Sequence, residues 1–129
     1  MELKVLRRLT LRMPFYRAYI LEQGALLRAL WTITSPNFRE LVLEVDKVPA
    51  RLKEKPSEHW GSWTYIDNYL GNCLSDGLVD SGEFKLIIRT GEVCEWEVFQ
   101  NHAKETFPLL AGKGCVHFET TNKIENYRS

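Results

Sequence analysis

The residues of this sequence whose types and spacing could support catalysis are Cys115, His117 and Glu119. Alternation along an extended strand would project all three to one face, in the order of a nucleophile, a base and a group that orients the base. A working thiolate also needs an electropositive pocket, and the sequence discloses none. Alternation by itself places polar residues at the outward positions of a strand, so this spacing does not require a catalytic explanation. A small α/β enzyme using Cys115 and His117 is therefore kept as an alternative only.

Metal, cofactor and phosphate binding have no motif in this chain. Its histidines and cysteines are His59, His102, His117, Cys73, Cys94 and Cys115. None of these residues stands at a close ligand spacing such as H-x-x-x-H or C-x-x-C. The glycines that border apolar segments form neither a dinucleotide fingerprint nor a P-loop. We therefore expect no metal and no cofactor, and we expect the cysteines to be reduced and buried.

Composition and charge limit the class of protein. The chain has 129 residues, of which 44% are hydrophobic and 26% are charged, as in one globular domain. Its 17 basic residues balance its 17 acidic residues, so neither nucleic acid nor a membrane surface is the expected partner. Charges interrupt each apolar run before it could form a signal peptide or a membrane span. We expect an intracellular protein of the cytoplasm or nucleus.

Four strands and three helices are predicted from apolar periodicity. Residues 9–13, 41–45, 86–90 and 116–120 alternate with a period of two, as strands with one covered face do. Residues of about 23–33, 57–74 and 95–110 have helical spacing. Gly77 should stop the second helix, and Pro108 favours a break in the third. The apolar side of that third helix is predicted to be Val98, Phe99, Ala103 and Phe107.

The alternation of these elements predicts a parallel sheet, because every crossover is long enough to hold a helix. Aligning the strands on their central apolar residues places Leu11, Leu43, Ile88 and Phe118 in one inward row, at separations of 32, 45 and 30 residues. A second inward row is Leu9, Leu41, Leu86 and Val116. An outward row is Thr10, Val42, Ile87 and His117.

The next outward row, here called the charged row, is Arg12, Glu44, Arg89 and Glu119. Neighbouring strands would place its opposite charges side by side. With three helices on one face of the sheet, the other face is expected to lie in water. This outward face is the predicted protein-binding surface, and its residues are Arg12, Glu44, Arg89, His117 and Glu119.

The strands also carry a family resemblance. Two segments resemble the strand motif L-x-x-L-x-L of leucine-rich repeats: Leu6-x-x-Leu9-x-Leu11 and Phe38-x-x-Leu41-x-Leu43. The segments LLRALWTITSPNFRELVLEV, HWGSWTYIDNYL, GEFKLIIRTGEV and HAKETFPLLAGKGCVHFE are similar to the carboxy-terminal repeat region of F-box and leucine-rich-repeat-like proteins of mushroom-forming fungi. The resemblance covers roughly residues 5–120.

This resemblance implies one leucine-rich-repeat-like domain over residues 1–129. The residues themselves predict a solvated basic loop at about 46–56, which contains Pro49 and Pro56, and a frayed polar tail at 121–129. The resemblance also implies a protein-interaction module, the substrate-recognition part of an F-box-type ubiquitin ligase adaptor. No F-box segment is expected before the first repeat, so a link to the ligase core would need a longer form. A truncated, non-functional repeat fragment is the remaining alternative.

Overall fold

The fold alternates strands with helices along the whole described chain. A computed structural model describes residues 7–15, 23–34, 37–52, 63–80 and 82–122. The strands in these segments are β1 (Arg8–Pro14), β2 (Glu40–Asp46), β3 (Lys85–Thr90) and β4 (Val116–Thr120). The helices are α1 (Gln23–Ile33), α2 (Thr64–Asp76), α3 (Trp96–Thr106) and α4 (Pro108–Gly112). None of these helices has the length and apolar content that crossing a membrane would require.

The four described strands form one all-parallel sheet in which the spatial order is the chain order β1-β2-β3-β4. Leu11 lies opposite Leu43, which lies opposite Ile88, which in turn lies opposite Phe118. A slip of one residue would turn every side chain of a strand to the other face. The predicted sheet and its predicted register are therefore both confirmed.

The hydrophobic core lies between the inward rows and the helices. The inward residues of the two central strands, Leu41, Leu43, Leu86 and Ile88, are fully buried. Their cluster includes side chains from every described helix, among them Leu26, Leu30, Ile66, Leu70, Phe99, Ala103 and Leu110. Burying one such aliphatic side chain contributes about 1.5–3 kcal/mol. The inward residues of the edge strands, Leu9, Leu11, Val116 and Phe118, are only partly buried.

The first two helices agree with the sequence where they are described. Helix α1 has the predicted bounds. Helix α2 begins at Thr64, and residues 57–62 of the predicted helix lie outside the described segments. It ends before Gly77, which has φ +78° and donates its N–H to the carbonyl of Cys73. Glycine enters this left-handed region without the steric cost that a Cβ brings, so the predicted stop is confirmed.

The third predicted helix is two helices, which corrects the expected number from three to four among the described residues. Phe107 leaves the helical conformation (φ −123°, ψ 64°), and Pro108 begins α4. Proline suits a first helical turn, where its missing N–H would have no intrahelical partner. The predicted break is confirmed, but Val98 is exposed, while His102 takes a buried place beside Phe99. Phe99, Ala103 and Phe107 are buried as predicted, so Val98 is the one wrong member of the predicted apolar side.

The basic loop is less solvated at its start than the sequence suggests. Val48 is fully buried, and Leu52 packs against the core. The Leu52 N–H also donates to the Glu95 carboxylate at 2.5 Å. Residues 53–56 lie outside the described segments, as does the tail from 123 onward. At the start of that tail, Thr121 donates its N–H to the Thr90 carbonyl at 2.9 Å and so continues the sheet.

Candidate functional site

The outward face of the sheet brings together the five residues predicted to bind a protein. The charged row of Arg12, Glu44, Arg89 and Glu119 crosses all four strands in register. A middle row beside it is Thr10, Val42, Ile87 and His117. On the far side of the middle row, a second charged row is Arg8, Glu40 and Lys85. This second row was not among the predicted site residues, although the same alignment gives it when continued two residues toward the strand starts.

Arg89 is the centre of the charged row. Its Nε and Nη2 donate to Oε1 of Glu119 at 3.0 and 2.8 Å, and its Nη1 donates to Oε2 of Glu44 at 3.1 Å. Only 21% of its side chain is exposed. The hydrogen bonds that Arg89 donates to Glu119, and then the one to Glu44, raise the pKa of its guanidinium above its ordinary value. One cation thereby joins β2, β3 and β4 through charge-assisted bonds.

Arg12 pairs differently from the prediction. Its Nε lies 3.5 Å from Oδ2 of Asp46, two residues beyond the expected partner Glu44, which instead accepts from Arg89. The Arg12 side chain is 56% exposed. In the second charged row, Arg8 donates from Nε to Oε1 of Glu40 at 2.8 Å. Because each acid lies beside a base, the face presents alternating charge with no large field of one sign.

The centre of the outward face is apolar and shielded, which corrects the expectation of a face lying in water. Val42 is fully buried and Ile87 nearly so, although neither belongs to the core cluster. Central strands of parallel sheets are commonly apolar on both faces. Thr10 and His117, at the two ends of this row, are exposed. The groups that a partner could reach on this face are therefore Thr10, His117 and the charged side chains.

The catalytic alternative loses support from the position of Cys115. Its thiol is buried, 3.8 Å from the Lys113 carbonyl oxygen, whereas His117 is exposed on the outward face. Burial raises the pKa of the Cys115 thiol, which keeps it protonated at neutral pH. A nucleophilic cysteine needs the opposite shift. The expected burial is confirmed for Cys73 as well and is wrong for Cys94, which is exposed.

The other chemistries considered have no cluster of ligands in the described segments. Among those residues, no group of three or more His, Cys, Asp or Glu side chains is placed to hold a metal ion. His102 is buried on α3, away from the exposed His117, and His59 lies outside the described segments.

Asp67 is a buried polar residue for which the sequence predicted no role. Its carboxylate on α2 accepts from the N–H of Leu109 at 3.0 Å and from the N–H of Leu110 at 3.1 Å. These donors belong to the first turn of α4, where backbone N–H groups lack intrahelical partners. A turn further along α2, a Cβ added at Gly71 would lie 3.2 Å from the Leu109 side chain. Asp67 and Gly71 thus hold α4 closely against α2, which is a structural role.

No protein-family model matches this chain, and no curated protein or solved structure matches it either. Its class is therefore set by its own architecture, an α/β fold with a four-stranded, all-parallel sheet in chain order.

Proposed function

We propose that this chain is a leucine-rich-repeat-like stack that binds another protein through the outward face of its sheet. The observation that carries the proposal is the in-register charged row, in which Arg89 joins Glu44 and Glu119 across three strands. The ion pairs of this row lie at or near the surface, partly shielded at Arg89, and pairs of this kind add about 0–1 kcal/mol each. A recognition surface would explain a regular pattern of charge that folding hardly requires.

The strand order supports a one-sided, repeat-like layering. Parallel crossovers are right-handed in nearly all proteins, so steps that always advance in one direction place their helices on one face. The order β1-β2-β3-β4 has only such steps. A doubly wound sheet would reverse direction and cover both faces. A leucine-rich-repeat-like stack, with its strand face available to a ligand, is the architecture that fits this order.

The chemistry of the face indicates what kind of partner it would recognise. Its side chains alternate in sign across the strands, and Arg89 is partly buried at their centre. Such a pattern selects a partner with the complementary alternation and contributes more to specificity than to affinity. Arginine at the centre of a patch is also a frequent hot spot. We therefore propose a folded protein partner with mixed surface charge.

Within this proposal, the resemblance to F-box and leucine-rich-repeat-like proteins suggests substrate recognition for a ubiquitin ligase adaptor. The test is the coding sequence upstream of Met1 in mature transcripts. An in-frame F-box there would support the adaptor role. Transcripts whose reading frame opens at Met1 would contradict the adaptor role and leave only the interaction module.

The binding proposal is tested by reversing charges on the outward face. Partners are first identified by proximity labelling with the unchanged chain, and their affinity is then measured with purified proteins. The face variant combines Arg89→Glu and Glu119→Arg, so that Glu44 lies beside a second acid at position 89 in place of its cation. The control combines Lys104→Glu and Glu105→Lys, two exposed residues of α3. We expect about a tenfold or greater loss of affinity for the face variant alone. Equal affinity of both variants, each with an intact fold, would contradict the proposal.

The alternative of a non-functional fragment is tested by unfolding of the purified chain. The core cluster contains side chains from all four described helices and from the two central strands, and apolar side chains of both edge strands pack against it. We therefore expect one cooperative thermal transition. A broad, non-cooperative melt would favour the fragment instead.

A further inference from the structure

We propose that copies of this chain stack head to tail, with the β4 edge of one copy pairing in parallel with the β1 edge of the next. In the described part of the molecule, β1 and β4 are the two edges of the sheet. Edge strands present backbone N–H and C=O groups to further pairing. The proposal is independent of the proposed function, because it concerns the edges of the sheet and a second copy of the chain.

The inward apolar rows are less buried on the two edge strands than on the central strands. Val116 and Phe118 on β4 are partly buried, as are Leu9 and Leu11 on β1. The residues in the same rows on the central strands are fully buried. If the register continued into a second copy, Val116 would lie beside the next Leu9, and Phe118 beside the next Leu11. Each edge would thereby supply the apolar cover that the other lacks.

The charged row also ends on opposite signs at the two edges. Glu119 lies at the β4 edge with 44% of its side chain exposed, and Arg12 lies at the β1 edge with 56% exposed. Continued into a second copy, the row places Arg12 of that copy beside Glu119. Both hydrogen bonds from Arg89 end on Oε1 of Glu119, so Oε2 can accept from the incoming guanidinium. The strand pair between copies then repeats the alternation found within one copy.

The same signs disfavour pairing between like edges. Two β1 edges would bring Arg8 and Arg12 of one copy against those of another, and charge on an edge strand is a common barrier to such association. Opposite edges are complementary, so the favoured contact is heterologous. A heterologous contact that does not close into a ring produces linear assemblies that grow with concentration.

The test is a charge swap followed by sedimentation velocity over a concentration series. The variants are Arg12→Glu and Glu119→Arg, measured alone and in an equimolar mixture, with Lys104→Glu on α3 as the control. Alone, each variant places like charges at the contact, and we expect self-association weaker by about tenfold. In the mixture, every contact between unlike copies is complementary in charge, so association should return toward that of the unchanged chain. The control should associate like the unchanged chain.

Three results would overturn the proposal: an unchanged chain that stays monomeric throughout the series, single variants that associate as well as it does, or a mixture no better than its components. Circular dichroism of each variant shows whether the fold is intact. Recovery in the mixture requires both variants to be folded, so lost folding and lost edge pairing give different results.

Discussion

Two arginines of the charged row differ in how much stability their ion pairs contribute. We expect Arg89→Met to lower the free energy of unfolding by about 1–2 kcal/mol, because it leaves Glu44 and Glu119 without their shared cation in a partly shielded place. Arg12→Met should cost less than about 0.5 kcal/mol, since Arg12 is mostly exposed and has one long pair. Urea unfolding measures both. The difference between them should shrink at about 1 M salt, where screening is strong, and equal losses would contradict this account.

Asp67 supplies a buried cap to a helix that is distant in sequence. Asp67→Ala leaves the N–H groups of Leu109 and Leu110 without their acceptor, and we expect a loss of about 3 kcal/mol in the free energy of unfolding. The matched control is Asn68→Ala, an exposed neighbour on α2, which should change stability by less than about 0.5 kcal/mol. Thermal and urea unfolding measure the two variants. Similar losses would show that α2 as a whole, and not the cap, is sensitive.

The end of α2 depends on the backbone of one glycine. A Cβ at Gly77 would meet no atom within 4 Å, so its only penalty is the φ of +78°. We expect Gly77→Ala to destabilise the chain by about 1 kcal/mol. Gly112→Ala is the control, because its Cβ would also meet open space and its φ is not in the left-handed region. That change should be neutral or stabilise by about 0.5 kcal/mol, so a loss equal to that of Gly77→Ala would refute the conformational explanation.

The whole molecule should lose stability at alkaline pH. Burial raises the pKa of the Cys73 and Cys115 thiols in the folded chain. A group with a raised folded pKa contributes its full stability below its unfolded pKa, which is about 8.5 for cysteine, and loses that contribution as pH rises further. The free energy of unfolding should therefore be flat from this source near pH 7 and fall above about pH 8.5. Urea unfolding across that range measures it.

The matched variant for the pH experiment replaces both buried thiols, as Cys73→Ala and Cys115→Ala. We expect it to be less stable at pH 7, because it leaves small cavities, but to decline less steeply above about pH 8.5. An unchanged slope would show that other groups, such as Tyr69, whose pKa burial also raises, cause the alkaline loss.

Sequence periodicity was enough to predict the strands, their parallel order and their register. Alternation assigns a strand residue such as Leu43 or Ile88 to the inward face, and one row of matched residues then aligns all the strands. It was also enough to place Arg89 between Glu44 and Glu119. These features follow from short apolar patterns that repeat along the chain, so they can be predicted from the sequence alone.

Contacts between distant elements decided the rest. Val42 is buried on a face predicted to lie in water. Arg12 pairs with Asp46 rather than with Glu44, because an ion pair forms between the side chains that lie closest in the folded sheet. Asp67 accepts a hydrogen bond from the first turn of α4, at a residue 42 positions later in the chain. No rule of sequence spacing predicts this pairing. The sequence by itself determined the strands and their register, since both follow from the two-residue period of strands. Only the tertiary structure decided which polar groups are buried and paired, because that depends on what packs beside each side chain.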